Sequence, residues 1–212
     1  MKILMVAIVL TACLASGCGN FKPVEAGTET VPAGADPKAS VIAASKKLIG
    51  LKSLSAIVEG TGGQMGIRKD VQFAAPDRYH IKFDDETGAH VEMINIGNES
   101  YIKSGDTWSK MPPSEGGAAS TFRNSFTDDV LQTISDAKFE GEDNVNGKPV
   151  NVYSYKLVTK VGDFPIVYRI WIDKNSGIPI KSVGEYNDSQ VKTLTTTFDT
   201  EKPVTIEPPP VH

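Results

Sequence analysis

What this chain lacks narrows it first. Cysteine is nearly absent: Cys13 and Cys18 stand close together near the start, and none follows. A disulfide framework is therefore excluded, as is a cysteine-ligated metal site in the main body. Histidine occurs three times, as His80, His90 and His212, too scattered to suggest a metal cluster. Basic charge is not in excess: 22 Lys and Arg face 26 Asp and Glu, a net charge of −4. Nucleic acid, whose binding rests on neutralising phosphates, is not an expected partner. Catalytic signatures are missing too, with no Gly-x-Ser-x-Gly, His-Glu-x-x-His or phosphate-cradling glycine loop. No apolar run reaches the roughly 20 residues of a bilayer-spanning helix. At 212 residues the chain suffices for one sizeable domain and not comfortably for two.

The most apolar stretch is at the start. Met1-Lys2 precedes Ile3 to Leu10, and small residues follow as far as Cys18. One positive charge, a short apolar run and small residues make a secretory signal. Small residues directly before a cysteine resemble the bacterial lipobox. That resemblance implies cleavage between Gly17 and Cys18, diacylglyceryl transfer to the sulfur and acylation of the new amine. Leu10-Thr11-Ala12-Cys13 is the competing position. It carries the commoner leucine but leaves a signal of only twelve residues, so Cys18 is preferred. The covalent acyl chains on Cys18 are the only attached group expected, and no cofactor or metal is. Two or more chains hold a protein firmly at a membrane, whereas one binds only marginally.

Residues 18–37, the cysteine and a Gly-, Pro- and Thr-rich run, read as a flexible tether with a reach of roughly 25 Å. Asp36-Pro37 then opens a helix, Asp as cap and Pro at the first position. Val41, Ile42, Ala44, Leu48, Ile49 and Leu51 give it one apolar stripe, within which Ser45 falls. From Leu54 the period becomes two. Leu54-Ala56-Val58, Val71-Phe73 and Tyr79-Ile81-Phe83 alternate with polar residues. Further strands are expected at 89–96, 99–103, 106–111, 137–145, 148–160, 164–173, 178–186 and 189–199. Turn chemistry separates them, including Ala75-Pro76-Asp77, Gly97-Asn98, Asn146-Gly147 and Asn175-Ser176-Gly177. A second helix interrupts the series, with Thr127 as cap and Val130, Leu131, Ile134 and Ala137 at helical spacing. Helix, five or six strands, helix and five more strands make an α+β, mainly β domain. Hairpin-length links predict one large antiparallel sheet of about 10–11 strands. A twisted sheet that size curls, with the helices on its concave face.

The order of several phrases carries a resemblance. Phe73-Ala74-Ala75-Pro76-Asp77-Arg78-Tyr79 is followed by Met93-Ile94-Asn95-Ile96-Gly97-Asn98-Glu99-Ser100-Tyr101-Ile102-Lys103 and Trp108. Trp171-Ile172-Asp173, Gly177-Ile178-Pro179-Ile180 and the closing Lys202-Pro203-Val204-Thr205-Ile206-Glu207-Pro208-Pro209 come later. Residues 38–209 so read are similar to the LolA/LolB/LppX superfamily of periplasmic or cell-surface carriers of lipoproteins or lipids. The resemblance implies an incomplete β-barrel whose apolar hollow, lidded by helices, takes acyl chains. The inward set Val71, Phe73, Tyr79, Ile81, Phe83, Met93, Tyr168, Ile170, Leu194 and Phe198 would line it. Each of these equally fits ordinary core, because alternation reports burial and not what is buried against it. LolB-like receptors use an apolar residue on an exposed loop, and Met65 in its glycine-rich turn is the comparable residue here. A chain of about fifteen methylenes gains roughly 12 kcal/mol gross on leaving water, at ~0.8 kcal/mol per CH₂.

An enzyme is not expected. His80 shares its side of a strand with Lys82, which reads as solvent-facing, and His90 has no nucleophile beside it in sequence. Asp84-Asp85-Glu86 and Asp173-Lys174-Asn175-Ser176-Gly177 read as hairpin turns. The second lacks the bidentate glutamate of a calcium loop, Gly184 standing at that position. The expectation is a monomeric, membrane-anchored envelope lipoprotein binding acyl chains of a lipid or a lipoprotein. The alternative is a structural or regulatory envelope protein that uses the same fold, with a filled hollow, to bind another protein. In a cell with two membranes, Gly19 after Cys18 is not the retention signal Asp, which implies the outer membrane facing the periplasm. With one membrane the anchor implies its outer face.

Overall fold

The computed structural model describes residues 36–62, 67–85, 87–112, 128–158, 165–186 and 191–211. Gly17, Cys18, Cys13, Met65 and the tether before Asp36 lie outside the described residues.

Helix α1 (Pro37–Ile49) begins where the local chemistry puts it. The Asp36 carboxylate accepts the Lys38 N–H at 3.1 Å, and Pro37 occupies the first turn, where a missing N–H costs no helical bond. Lys46 and Lys47 stand in the last turn, at the negative end of the helix dipole. Ser40, Val41, Ala44, Ser45 and Leu48 are its buried residues, so the apolar stripe runs through both serines.

Six strands follow: β1 (Ser53–Thr61), β2 (Ile67–Ala74), β3 (Arg78–Asp84), β4 (His90–Ile96), β5 (Glu99–Ser104) and β6 (Thr107–Met111). After α2 (Asp128–Gln132) come β7 (Ser135–Val145), β8 (Lys148–Val158), β9 (Pro165–Asp173), β10 (Pro179–Glu185) and β11 (Thr193–Asp199). They form one eleven-stranded sheet in the order β6-β5-β4-β3-β2-β1-β11-β10-β9-β8-β7. Each strand neighbours its successor in sequence, except that β1 pairs with β11 and leaves β6 and β7 as edges. All pairs are antiparallel and the sheet is an unclosed barrel. Asn146 and Gly147, with φ of 53° and 82°, make the tight β7–β8 turn, where two residues of positive φ match the strand twist.

Two expectations need correction. The second helix stops at Gln132, short of Ile134 and Ala137, and β7 starts at Ser135, ahead of the expected 137. The Thr133 and Ile134 N–H groups bond carbonyls three residues back, which tightens the last turn. Asp136, at φ 52°, then redirects the chain into a bulged strand. Strand β11 starts at Thr193, later than the expected 189.

Burial divides between the two faces. On the inner face α1 and α2 pack on β8 and β9 through Val41, Ala44, Leu131, Ile134, Tyr153, Tyr155 and Ile170. Leu48, one turn on, reaches a second inner cluster of Leu54, Ala56, Val71, Phe73, Tyr79, Ile81 and Phe198. On the outer face Val150, Val152, Trp171 and Ile180 form one cluster. Ile94 and Tyr101 form another with Ile206, which comes from the extended C-terminal segment. That segment is strapped on by Arg78 Nη1 donating to the Ile206 carbonyl and by the Val204 N–H donating to Ser53 Oγ. A single parallel bridge links its Val211 to Trp108 at the β6 edge.

Candidate functional site

Cross-strand register converts the inner face into rows. One row carries Leu54, Phe73, Tyr79, Asn95 and Ser100 across β1 to β5. The next carries Phe198, Ala56, Val71, Ile81, Met93 and Ile102. Thr196, Val58, Lys69, Phe83 and Val91 make the third. All ten residues proposed to line the hollow are distributed over this surface and over β9, and they divide in two.

Val71, Phe73, Tyr79, Ile81, Ile170 and Phe198 are 8% exposed or less and interlock as core. Phe73 and Tyr79 rings meet at 5.1 Å between centroids. Phe83, Met93, Tyr168 and Leu194 are only half-buried. Ile102, directly across from Met93, and Met111, across from Ser100 in the adjoining row, are also half-buried on the β5–β6 side of the same face. The apolar inner surface thus continues beyond the part filled by its own side chains.

A tyrosine group closes the other half. Tyr155 and Tyr168 stack at 5.5 Å and 15°, and the Tyr168 and Tyr186 hydroxyls are 3.1 Å apart. Burial, with the neighbouring Tyr186, pushes the Tyr155 and Tyr168 phenols far above their ordinary range, so both stay neutral. Gly184 makes this possible, since a Cβ there would stand 2.9 Å from a Tyr168 ring carbon. Tyr155 and Tyr186 were not among the sequence candidates. The signal was available for Tyr155, two residues from Tyr153 in an alternating strand.

Polar groups are few on this face but specific. Asn95 is 4% exposed, accepting from Ser100 Oγ at 2.7 Å through Oδ1. Asn151 Oδ1 has no hydrogen-bond partner among the described residues and stands beside a void of ≈ 10 Å³ lined also by Ser40 and Asp173. The Asp173 turn is a hairpin cap, its carboxylate accepting the Asn175 and Ser176 N–H groups at 2.7 and 2.9 Å.

The outer face departs from expectation at His80. It faces outward with Lys82 yet is not solvent-bathed: its side chain is 19% exposed and its Nε2 lies 2.7 Å from Glu92 Oε1. Lys82 and Lys103 reach the same carboxylate at 3.2 and 3.3 Å. An open depression of ≈ 310 Å³ adjoins this group, lined by Ser55, Ile57, Asp70, Gln72, His80 and Lys82. His90 Nδ1 lies 3.1 Å from Asp84 Oδ1 at an exposed hairpin. Asp85 accepts the Thr87 and Ala89 N–H groups there, as a turn residue does.

No family model matches the chain, and no curated protein matches it either. Solved structures do match. The lipoprotein LppX of Mycobacterium tuberculosis aligns with a TM-score of 0.61 at 16% identity, over 81% of this chain and 98% of that one. The domain has the LppX fold. LprF from Mycobacterium bovis gives 0.59 at 16% identity, over 82% and 98% of the two chains. MucB gives 0.50 at 14% identity, with 82% of this chain covering 62% of that one. The alignment takes in nearly the whole of LppX, so the likeness extends over that entire fold.

Proposed function

We propose that this protein is a membrane-anchored envelope lipoprotein whose LppX-fold domain holds the acyl chains of a lipid or lipoprotein against its inner face, as a carrier or receptor and without catalysis. The observation that carries the reading is the half-buried apolar strip of Met93, Ile102 and Met111, which extends the inner surface past the filled core. Such a strip loses free energy in water and gains it against a hydrocarbon chain. The lipobox-like segment ending at Cys18, and the likeness in fold to the lipoprotein LppX, support anchoring in the cell envelope.

The test is uptake of a fluorescent fatty-acid methyl ester by the delipidated protein. Ile81 and Ile170 are unsuitable for it, because a charge at either buried position would unfold the core. Met93→Glu and Leu194→Glu place the charge at half-buried positions instead. Each is expected to weaken uptake about tenfold or more with the circular dichroism unchanged. Ile57→Glu, on the outer face at 39% exposure, is the control and should bind like the wild type.

Six of the ten lining residues being core favours a second reading, a protein-binding module with a filled interior. Absence of uptake by the folded wild-type protein, with no lipid in its mass spectrum after purification, would decide for that module.

A further inference from the structure

Two buried amides on the inner face, Asn95 and Asn151, each keep one atom without a hydrogen-bond partner among the described residues, and Asn95 is the one beside the apolar strip. The Asn95 carboxamide is 4% exposed and spends its Oδ1 on Ser100, whereas its Nδ2 has no hydrogen-bond partner among the described residues. A buried donor left unpaired costs about 1–3 kcal/mol, and native proteins leave few of them. Its position is informative. Asn95 stands across from Tyr79 on one side and Ser100 on the other, one row from the pair Met93 and Ile102. A hydrogen-bond donor therefore sits at the margin of the half-buried apolar strip, with packed aromatic core behind it.

We propose that Asn95 Nδ2 is the polar anchor of the acyl site and donates to the ester carbonyl of a glycerolipid whose chain lies along Met93 and Ile102. The assignment rests on the acyl-binding reading and adds the chemical class of the ligand. A neutral amide donor matches an uncharged carbonyl oxygen. A fatty-acid carboxylate would carry a whole charge into surroundings where one N–H cannot compensate it. A plain hydrocarbon would leave the donor unpaired, so the orphan N–H discriminates for an acceptor-bearing chain.

The experiment compares two probes of equal chain length on the full chain: a pyrene-labelled diacylglycerol and a pyrenyl alkane with no oxygen. The wild-type protein should prefer the ester probe by about tenfold, the effect of one buried hydrogen bond. Asn95→Leu should abolish that preference while holding alkane affinity within about twofold. The substitution removes the unpaired donor and also the acceptor of Ser100 Oγ, so its thermal midpoint without ligand should stay near that of the wild type; an amide of purely structural value would lower it clearly. Asn95→Asp, which offers no N–H, should lose the ester preference as well. Retention of the preference in Asn95→Leu overturns the anchor and leaves the acyl site standing. Equal loss of both probes with a lowered midpoint assigns Asn95 to structure and also overturns it. Failure of the wild type to bind either probe removes the acyl site and the anchor with it.

Discussion

Burial alone would raise the Glu92 carboxyl, yet the His80, Lys82 and Lys103 side chains around it bring it down from the ordinary 4.5 to about 2. The sign of its effect on stability follows directly. Folding favours the ionised form, so the contribution is complete above about pH 5 and fades as the pH falls through 4.5 toward 2. Glu92→Gln should lower the unfolding free energy by about 2 kcal/mol near neutrality and converge on the wild type at the acid end. Urea titrations across that range check it, and a gap that stays constant with pH would refute the linkage. Residues 80, 82, 92 and 103 also show what sequence leaves out. The two-residue period correctly sends His80 and Lys82 to one face. It carries no information about which residues of β4 and β5 arrive beside them, because that depends on register between strands. His80 consequently reads as solvent-facing when it is a partner in a half-buried charge cluster.

Elements with local signals were legible and those without were not. Helix α1 announces itself because Asp36, Pro37 and the stripe from Val41 to Leu48 act within a few residues of one another. The hairpins announce themselves through Asn146-Gly147 and similar turns. The second helix reads too long because Ala137 keeps helical spacing from Ile134, and neither the stop at Gln132 nor the bulge inside β7 has a sequence signature. The C-terminal strap is the opposite extreme: 200–211 has no period at all, and the contacts that fix Val204 and Ile206 come from strands far away in sequence. Ile206, 3% exposed against Ile94 and Tyr101, is its hold on the sheet. Ile206→Ala should cost about 2–4 kcal/mol in thermal unfolding, with a change in the emission of nearby Trp108. Unchanged stability and emission would mean that the strap lies on the sheet without supporting it.

For the molecule as a whole, a large antiparallel sheet with a helix on its inner face follows from alternation, short links and one amphipathic segment. How far that face is filled does not follow. Phe73 and Met93 alternate equally well, yet one is core and the other half-buried: Phe73 lies in the cluster that Leu48 of α1 reaches, and Met93 stands two strands further along the sheet. The pairing of β1 with β11 has a kinetic meaning as well. Every other pairing joins strands adjacent in sequence, whereas Ser55 meets Asp199 from roughly 140 residues away. Contacts that close such a loop form only after its entropy has been offset elsewhere. The two meanders, β1 to β6 and β7 to β11, should therefore gain structure as separate units before they join. Pulse-labelled hydrogen exchange during refolding should find the β3–β4 and β8–β9 amides protected ahead of those bonded across β1 and β11; simultaneous protection would rule this order out. While that join is unmade, β1 and β11 each present a bare strand edge, so the partly folded protein exposes two pairing surfaces that the finished sheet conceals.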